Sequence, residues 1–178
     1  MRWMWIDRVL VLEPGRRMVT IKNVSLAEEH LHDHFEADAG LGLAALPIMP
    51  ASLMIEGMAQ TAGVLVGHAS GFKEKVVLAK VGRAEIDFDV TPGRTIRYTA
   101  VVERMDASGA STKGTIELLD PAQFGRGGGD GAKEIGRVDL LFSFLDQNMS
   151  GMAFPDHNFV FGEGFKTLLR MSEIADPL

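Results

Sequence analysis

The chain has 178 residues, a formal net charge of −6 and no cysteine. That length suits one domain with a sizeable core, and 46% apolar with 24% charged residues is a globular composition. The acidic balance argues against nucleic acid or an anionic membrane as partner, and the missing cysteines exclude disulfides and thiolate metal sites.

The N-terminal run MRWMWIDRVLVL is broken by Asp7 and Arg8 before an apolar stretch of signal-peptide length develops, so the cytoplasm is the expected compartment. IDRVLVLEPGRRMVTIKNVS reads as two strands about a turn in which Pro14 presets φ and Gly15 supplies a positive one. Ser25 and Glu28 stand at capping-box spacing and predict a short helix. The segment from Phe35 to Leu46 is rich in glycine and alanine and reads as a loop or a loose helical turn.

A long helix is predicted from Pro50, suited to the first helical turn, to Ala69. Its apolar residues (Leu53, Met54, Ile55, Met58 and on to Val66) fall on every side, the mark of a buried helix. Glu56, Gln60, His68 and three glycines within that run exclude a membrane span. RAEIDFDV then alternates, which predicts Ala84, Ile86, Phe88 and Val90 inward and Glu85, Asp87 and Asp89 outward. In TIRYTAVVER, Ile96, Tyr98, Ala100 and Val102 share a face, and STKGTIELL and GRVDLLFSFLD read as two further strands. A Gly-rich hairpin, 121–134, joins those two.

Two strands, one buried helix and about four strands give an α+β fold, in which a curved antiparallel sheet wraps the central helix. Residues 1–148 are read as the domain, with 36–46 as an insertion. Residues 149–178 form a C-terminal extension whose Phe154, Phe159, Phe161 and Phe165 predict packing on the domain or an interface.

Glu56 is the residue that asks for an explanation, because a carboxylate taken out of water costs several kcal/mol unless partners compensate. It is either paired or functional, and Gln60, one turn on, is within hydrogen-bonding reach. His30, His32 and His34 alternate beside Glu28, Glu29 and Asp33. The downstream sequence offers no further ligand set, so no metal site is assigned.

The order His34-Phe35, a linker, Pro47-Ile48-Met49-Pro50, and a helix bearing Glu56 with Gln60 four residues on resembles the hot-dog-fold 3-hydroxyacyl-(acyl-carrier-protein) dehydratases of fatty-acid synthesis. The resemblance runs in order from about Trp5 to Asp146 and leaves the tail outside. It implies a hot-dog fold and dehydration of a 3-hydroxyacyl thioester to the trans-2-enoyl thioester. It further implies His34 as general base, Glu56 as general acid, the Ala51 N–H polarising the thioester carbonyl, and Gln60, Phe35 and Pro50 around the substrate. No cofactor is implied. The implied partners are acyl carrier protein or an acyl-CoA thioester, and a second copy of the chain in a homodimer or higher even-numbered oligomer whose sites draw base and acid from different subunits.

Two departures stand out: the linker Glu36 to Leu46 is longer than the family's, and alanine at position 51 replaces a glycine. The alternatives are a hot-dog enoyl hydratase or thioesterase, or a non-catalytic acyl-binding protein. Between Lys73 and Arg104, seven cations face five anions, a surplus that could form a basic docking patch or a solvated strand face.

Overall fold

The computed structural model describes residues 3–33, 35–120, 131–145, 151, 154, 155 and 157–174, without the side chains of His32 and Asp33. Strands β1 (Arg8–Glu13) and β2 (Arg17–Asn23) pair antiparallel about the expected turn, where Gly15 takes φ 65°. Helix α1 (Glu29–Asp33) follows a half-formed capping box: the Glu28 carboxylate reaches back to accept the Ser25 N–H at 3.0 Å.

Helix α2 (Ala51–Ala69) is followed by β3 (Val76–Ile86), β4 (Thr95–Asp106), β5 (Gly109–Leu119) and β6 (Ala132–Phe144). All pairings are antiparallel and the sheet order is β1-β2-β4-β5-β6-β3. Register shifts within β1, β3, β4 and β6 mark bulges, which bend and twist a sheet. The curved sheet holds α2 against β2, β3, β4, β5 and β6.

The helix is buried because both its apolar side chains and its glycines receive partners. Met54, Met58, Ala62, Val64, Leu65 and Val66 lie in the core. Gly57 takes the Tyr98 ring so closely that an added Cβ would stand 2.5 Å from the hydroxyl. Thr61 donates to the Gly57 carbonyl at 2.8 Å and shares a 2.6 Å hydrogen bond with Thr20 of β2, so both threonine hydroxyls are satisfied, whereas the buried Tyr98 hydroxyl has no hydrogen-bond partner among the described residues.

The helix stops at a Schellman motif. The Phe72 N–H reaches the Gly67 carbonyl, the Gly71 N–H reaches that of His68, and Gly71 supplies the left-handed turn at φ 61°. Pro50 is the N-cap, with ψ 132°, rather than a residue of the first turn as the sequence suggested. The extended conformation fits a residue that leads into the helix without belonging to it.

In β4, Ile96, Tyr98 and Ala100 point into the core as the alternation predicts. In the 83–90 stretch the pattern misleads: Ala84 is exposed and Phe88 is 45% exposed, while Val90 is fully buried. Strand β3 is the sheet's edge and exposes both faces beyond Val77. Alternation separates two faces of a strand, but whether either is covered depends on what lies beyond.

β5 and β6 pair out to Leu119↔Ala132, so Ala132, Lys133 and Glu134 belong to β6 rather than to a hairpin of 121–134. Residues 121–130 lie outside the described residues.

Of the C-terminal segment, Phe161, Leu168 and Leu169 join the core, and helix α3 (Glu163–Met171) packs beside β1. Phe161 stacks edge-on against Phe72, with centroids 4.7 Å apart, while Phe159 stays exposed. The Ser172 hydroxyl accepts the buried Val9 N–H at 2.9 Å, and Asn158 donates to the Phe72 and Glu74 carbonyls.

Candidate active site

Glu56 lies in the second turn of α2, half-buried, on the wall of a groove of about 340 Å³. Its neighbours along the helix, Ala59, Gly63 and Val64, line the same groove, and Val77, Leu78 and Phe142 form the facing wall. A carboxylate therefore sits at the margin of a largely apolar space, where its interactions are strengthened by the low local polarity.

Its partner is Gln60. The amide Nε2 donates to Glu56 Oε1 at 3.0 Å and to the Trp3 carbonyl at 2.6 Å, while Oε1 accepts the Trp5 N–H at 2.8 Å. Gln60 is only 8% exposed, so both amide donors and the carbonyl are committed. One side chain thus fixes the carboxylate and pins the N-terminal segment over the helix. Trp3 lines the groove as well. Sequence reading missed both tryptophans; their being the only two in the chain, close together in an apolar run, was the available signal.

The Pro47–Pro50 segment delivers the start of α2. Ile48 and Met49 are buried, and the Met49 N–H donates to the Val90 carbonyl at 2.7 Å, tying the segment to the chain beyond β3. Pro50 contributes no side-chain cap. Ala51 is already helical and its exposed N–H is one of the first-turn donors without an intrahelical acceptor. Alanine serves there because the position needs no positive φ.

His34 lies outside the described residues. Phe35 has φ 61° and is 58% exposed. The 36–46 insertion is a small closed loop: Asp38 and Leu43 exchange two backbone hydrogen bonds, of 3.0 and 2.9 Å, and the Leu46 N–H donates to the Phe35 carbonyl at 3.0 Å. Its two ends therefore meet, and the extra residues leave the Phe35 backbone beside the residue that precedes Pro47.

Little of the basic surplus between Lys73 and Arg104 is free surface. Arg83, Arg94, Arg97 and Arg104 are paired with Glu85, Asp120, Glu117 and Asp106, and Lys75 is buried. The Arg97–Glu117 pair joins residues directly opposite on β4 and β5, as expected of a solvated strand face. His68 stands in the last turn of α2 against Phe72, and burial pulls its pKa below the ordinary histidine value. His157 is exposed. A hollow of about 480 Å³ beside Arg104, Ser108 and Ser143 contains none of the candidate residues. Among the described residues, no helix is long and apolar enough to cross a membrane.

A six-stranded curved antiparallel sheet around one long helix makes this a hot-dog protein. The chain belongs to the FabA-like family, whose model matches residues 2–119. The 3-hydroxyacyl-(acyl-carrier-protein) dehydratase FabZ of Clostridium kluyveri is 28% identical over 144 residues, 80% of this chain and 86% of that protein. Among solved structures, the dehydratase heterocomplex ApeI:P from Xenorhabdus doucetiae matches with a TM-score of 0.55 and 18% identity, over 80% of this chain and 83% of that one. An acyl-CoA hydrolase from Staphylococcus aureus matches with a TM-score of 0.52 and 13% identity, over 74% of this chain and 67% of that one. These structures share the fold with this chain.

Proposed function

We propose that the protein dehydrates 3-hydroxyacyl thioesters to trans-2-enoyl thioesters, with Glu56 as general acid and His34 as general base. The observation that carries the reading is Glu56 itself, held by Gln60 at the edge of an apolar groove in a chain of the FabA-like family. Elimination removes the C2 proton and breaks the C3–O bond. The His34 imidazole suits the first task because histidine titrates near neutrality. Glu56 gives its proton to the departing hydroxyl, which leaves as water while the C2–C3 double bond forms. Loss of a proton from His34 and its regain at Glu56 resets the site. The negative charge that develops on the thioester oxygen is met by the Ala51 N–H and the positive end of α2. Phe35 and Pro50, at either side of the closed loop, complete the contact with the thioester.

The substrate is carried by acyl carrier protein or coenzyme A, and the setting is fatty-acid synthesis in the cytoplasm. The active unit is a homodimer. β3 leaves one edge bare and exposes Leu78 and Val81, and such an edge is a template for pairing with a second copy. In that unit the acid and base of each site come from different subunits.

The test is product identity. Incubation with a 3-hydroxyacyl thioester should produce the ultraviolet absorbance of a conjugated enoyl thioester without release of free thiol. Thiol release without that absorbance would identify a thioesterase instead, and neither signal on either carrier would leave an acyl-binding protein.

A further inference from the structure

Gly67 of α2 is where the groove that starts at Glu56 runs out. Ala59, Gly63 and Gly67 follow Glu56 along one stripe of the helix, so small side chains keep the helix surface low toward its C-terminal end. Gly63 faces open groove: an added Cβ would meet only the Phe142 ring, at an ordinary 3.6 Å. At Gly67 the space is taken, and an added Cβ would stand 2.5 Å from the Phe161 ring. Phe161, 4% exposed, is flanked by Phe165, whose ring centroid is 5.9 Å away, and Val160, Phe161 and Phe165 all line the groove. They come from the C-terminal segment, beyond the 2–119 that the family model covers.

We infer that this C-terminal segment is the end wall of the acyl site, and that Phe161 and Phe165 set the longest acyl chain the protein accepts. The inference rests on the dehydratase reading for what occupies the groove. Gly63 lies seven residues and Gly67 eleven residues beyond Glu56, about 10 and about 16 Å along the axis at 1.5 Å per residue. An extended alkyl chain advances about 1.3 Å per carbon when its C–C bonds are about 1.5 Å. With C3 at Glu56, the groove takes about eight further carbons to Gly63 and is closed before about twelve, which puts the limit at about eleven to fourteen carbons in all.

S-alkyl coenzyme A thioethers from butyl to hexadecyl, which can be neither dehydrated nor hydrolysed, probe the wall by calorimetric titration of the full chain. Affinity should rise about fourfold per methylene while the tail is buried and stop rising at about eleven to fourteen carbons. Phe165→Ala, a half-buried position whose loss leaves Phe161 in the core, should move that limit about two to four carbons longer. Gly63→Val should move it shorter by a similar amount. A limit that neither variant moves overturns the inference.

Turnover of 3-hydroxybutyryl thioester, too short to reach the wall, separates the two readings. Conversion of that substrate with an immovable limit would retire the end wall and keep the dehydratase. A limit that moves in both directions without conversion of any 3-hydroxyacyl thioester would do the reverse.

Discussion

Gln60→Leu removes three hydrogen bonds while keeping a side chain of similar size on α2. The Trp5 N–H, in a half-buried segment, loses its acceptor, Glu56 loses its donor, and the Trp3 carbonyl is released beside an exposed residue that water can reach. At about 1 kcal/mol per net hydrogen bond, more for a donor left buried and less for one that rehydrates, the sum is about 2–4 kcal/mol. For a chain of this size that lowers Tm by about 5–15 °C. Gln60→Glu is the sharper companion. It keeps an acceptor for Trp5 but turns an acceptor toward two others, the Trp3 carbonyl and Glu56. Two carboxylates within hydrogen-bond distance cannot both ionise without penalty, so the folded pair holds a proton that the unfolded chain releases. The folded state then binds more protons, and the deficit of Gln60→Glu should shrink as the pH falls from about 8 toward about 5. Urea unfolding followed by circular dichroism at both pH values measures this. Two variants within about 0.5 kcal/mol of the parent at every pH would refute the view that Gln60 holds the site together.

Glu173 occupies the left-handed C′ position of α3 with φ 60°, closed by the Ile174-to-Leu169 and Glu173-to-Arg170 backbone bonds. Glu173→Gly removes a strained L-residue and should raise stability by about 1 kcal/mol, a Tm gain of about 2–4 °C by calorimetry. His68, whose pKa burial lowers, contributes stability that is full above its unfolded value of 6.5 and is lost as the pH falls through its folded value. His68→Gln should therefore flatten the stability curve between about pH 7 and about pH 5, read from unfolding midpoints. Refolding an equal mixture of His34→Ala and Glu56→Gln chains should restore about a quarter of parent turnover, because half the dimers are mixed and each mixed dimer has one intact site. Recovery of none would contradict shared sites.

α2 was legible in the sequence because a helix with apolar residues on every side and a carboxylate in its middle has one place in a folded domain, the core. The inward face of β4 was legible because one side meets α2 and the other carries charge pairs such as Arg97–Glu117. The 83–90 stretch showed a cleaner alternation and misled, since its strand lies at a sheet edge and nothing in a pattern of twos says what covers it. Within the site, Glu56 stood out as a charge in an apolar run, and Gln60 followed from the helical repeat. The rest depended on long-range contacts made through backbone atoms. Trp3 and Trp5 meet Gln60 through a carbonyl and an N–H, which any residue carries. The closing of 36–46 is likewise a bond between the Phe35 and Leu46 main chains. The tail's aromatics announced packing, but its place at the far end of the groove is set by Gly67 and by Asn158 on the Phe72 and Glu74 carbonyls.

The most direct measurement is turnover of 3-hydroxybutyryl thioester by the parent protein and by Glu56→Gln, followed at the enoyl absorbance. Glutamine can still hydrogen-bond Gln60 but has no acidic proton, so the fold should stand while the rate drops by about 10²–10⁴. A Glu56→Gln protein that is folded and turns over at the parent rate would contradict the assignment of Glu56 as the acid, and with it the mechanism.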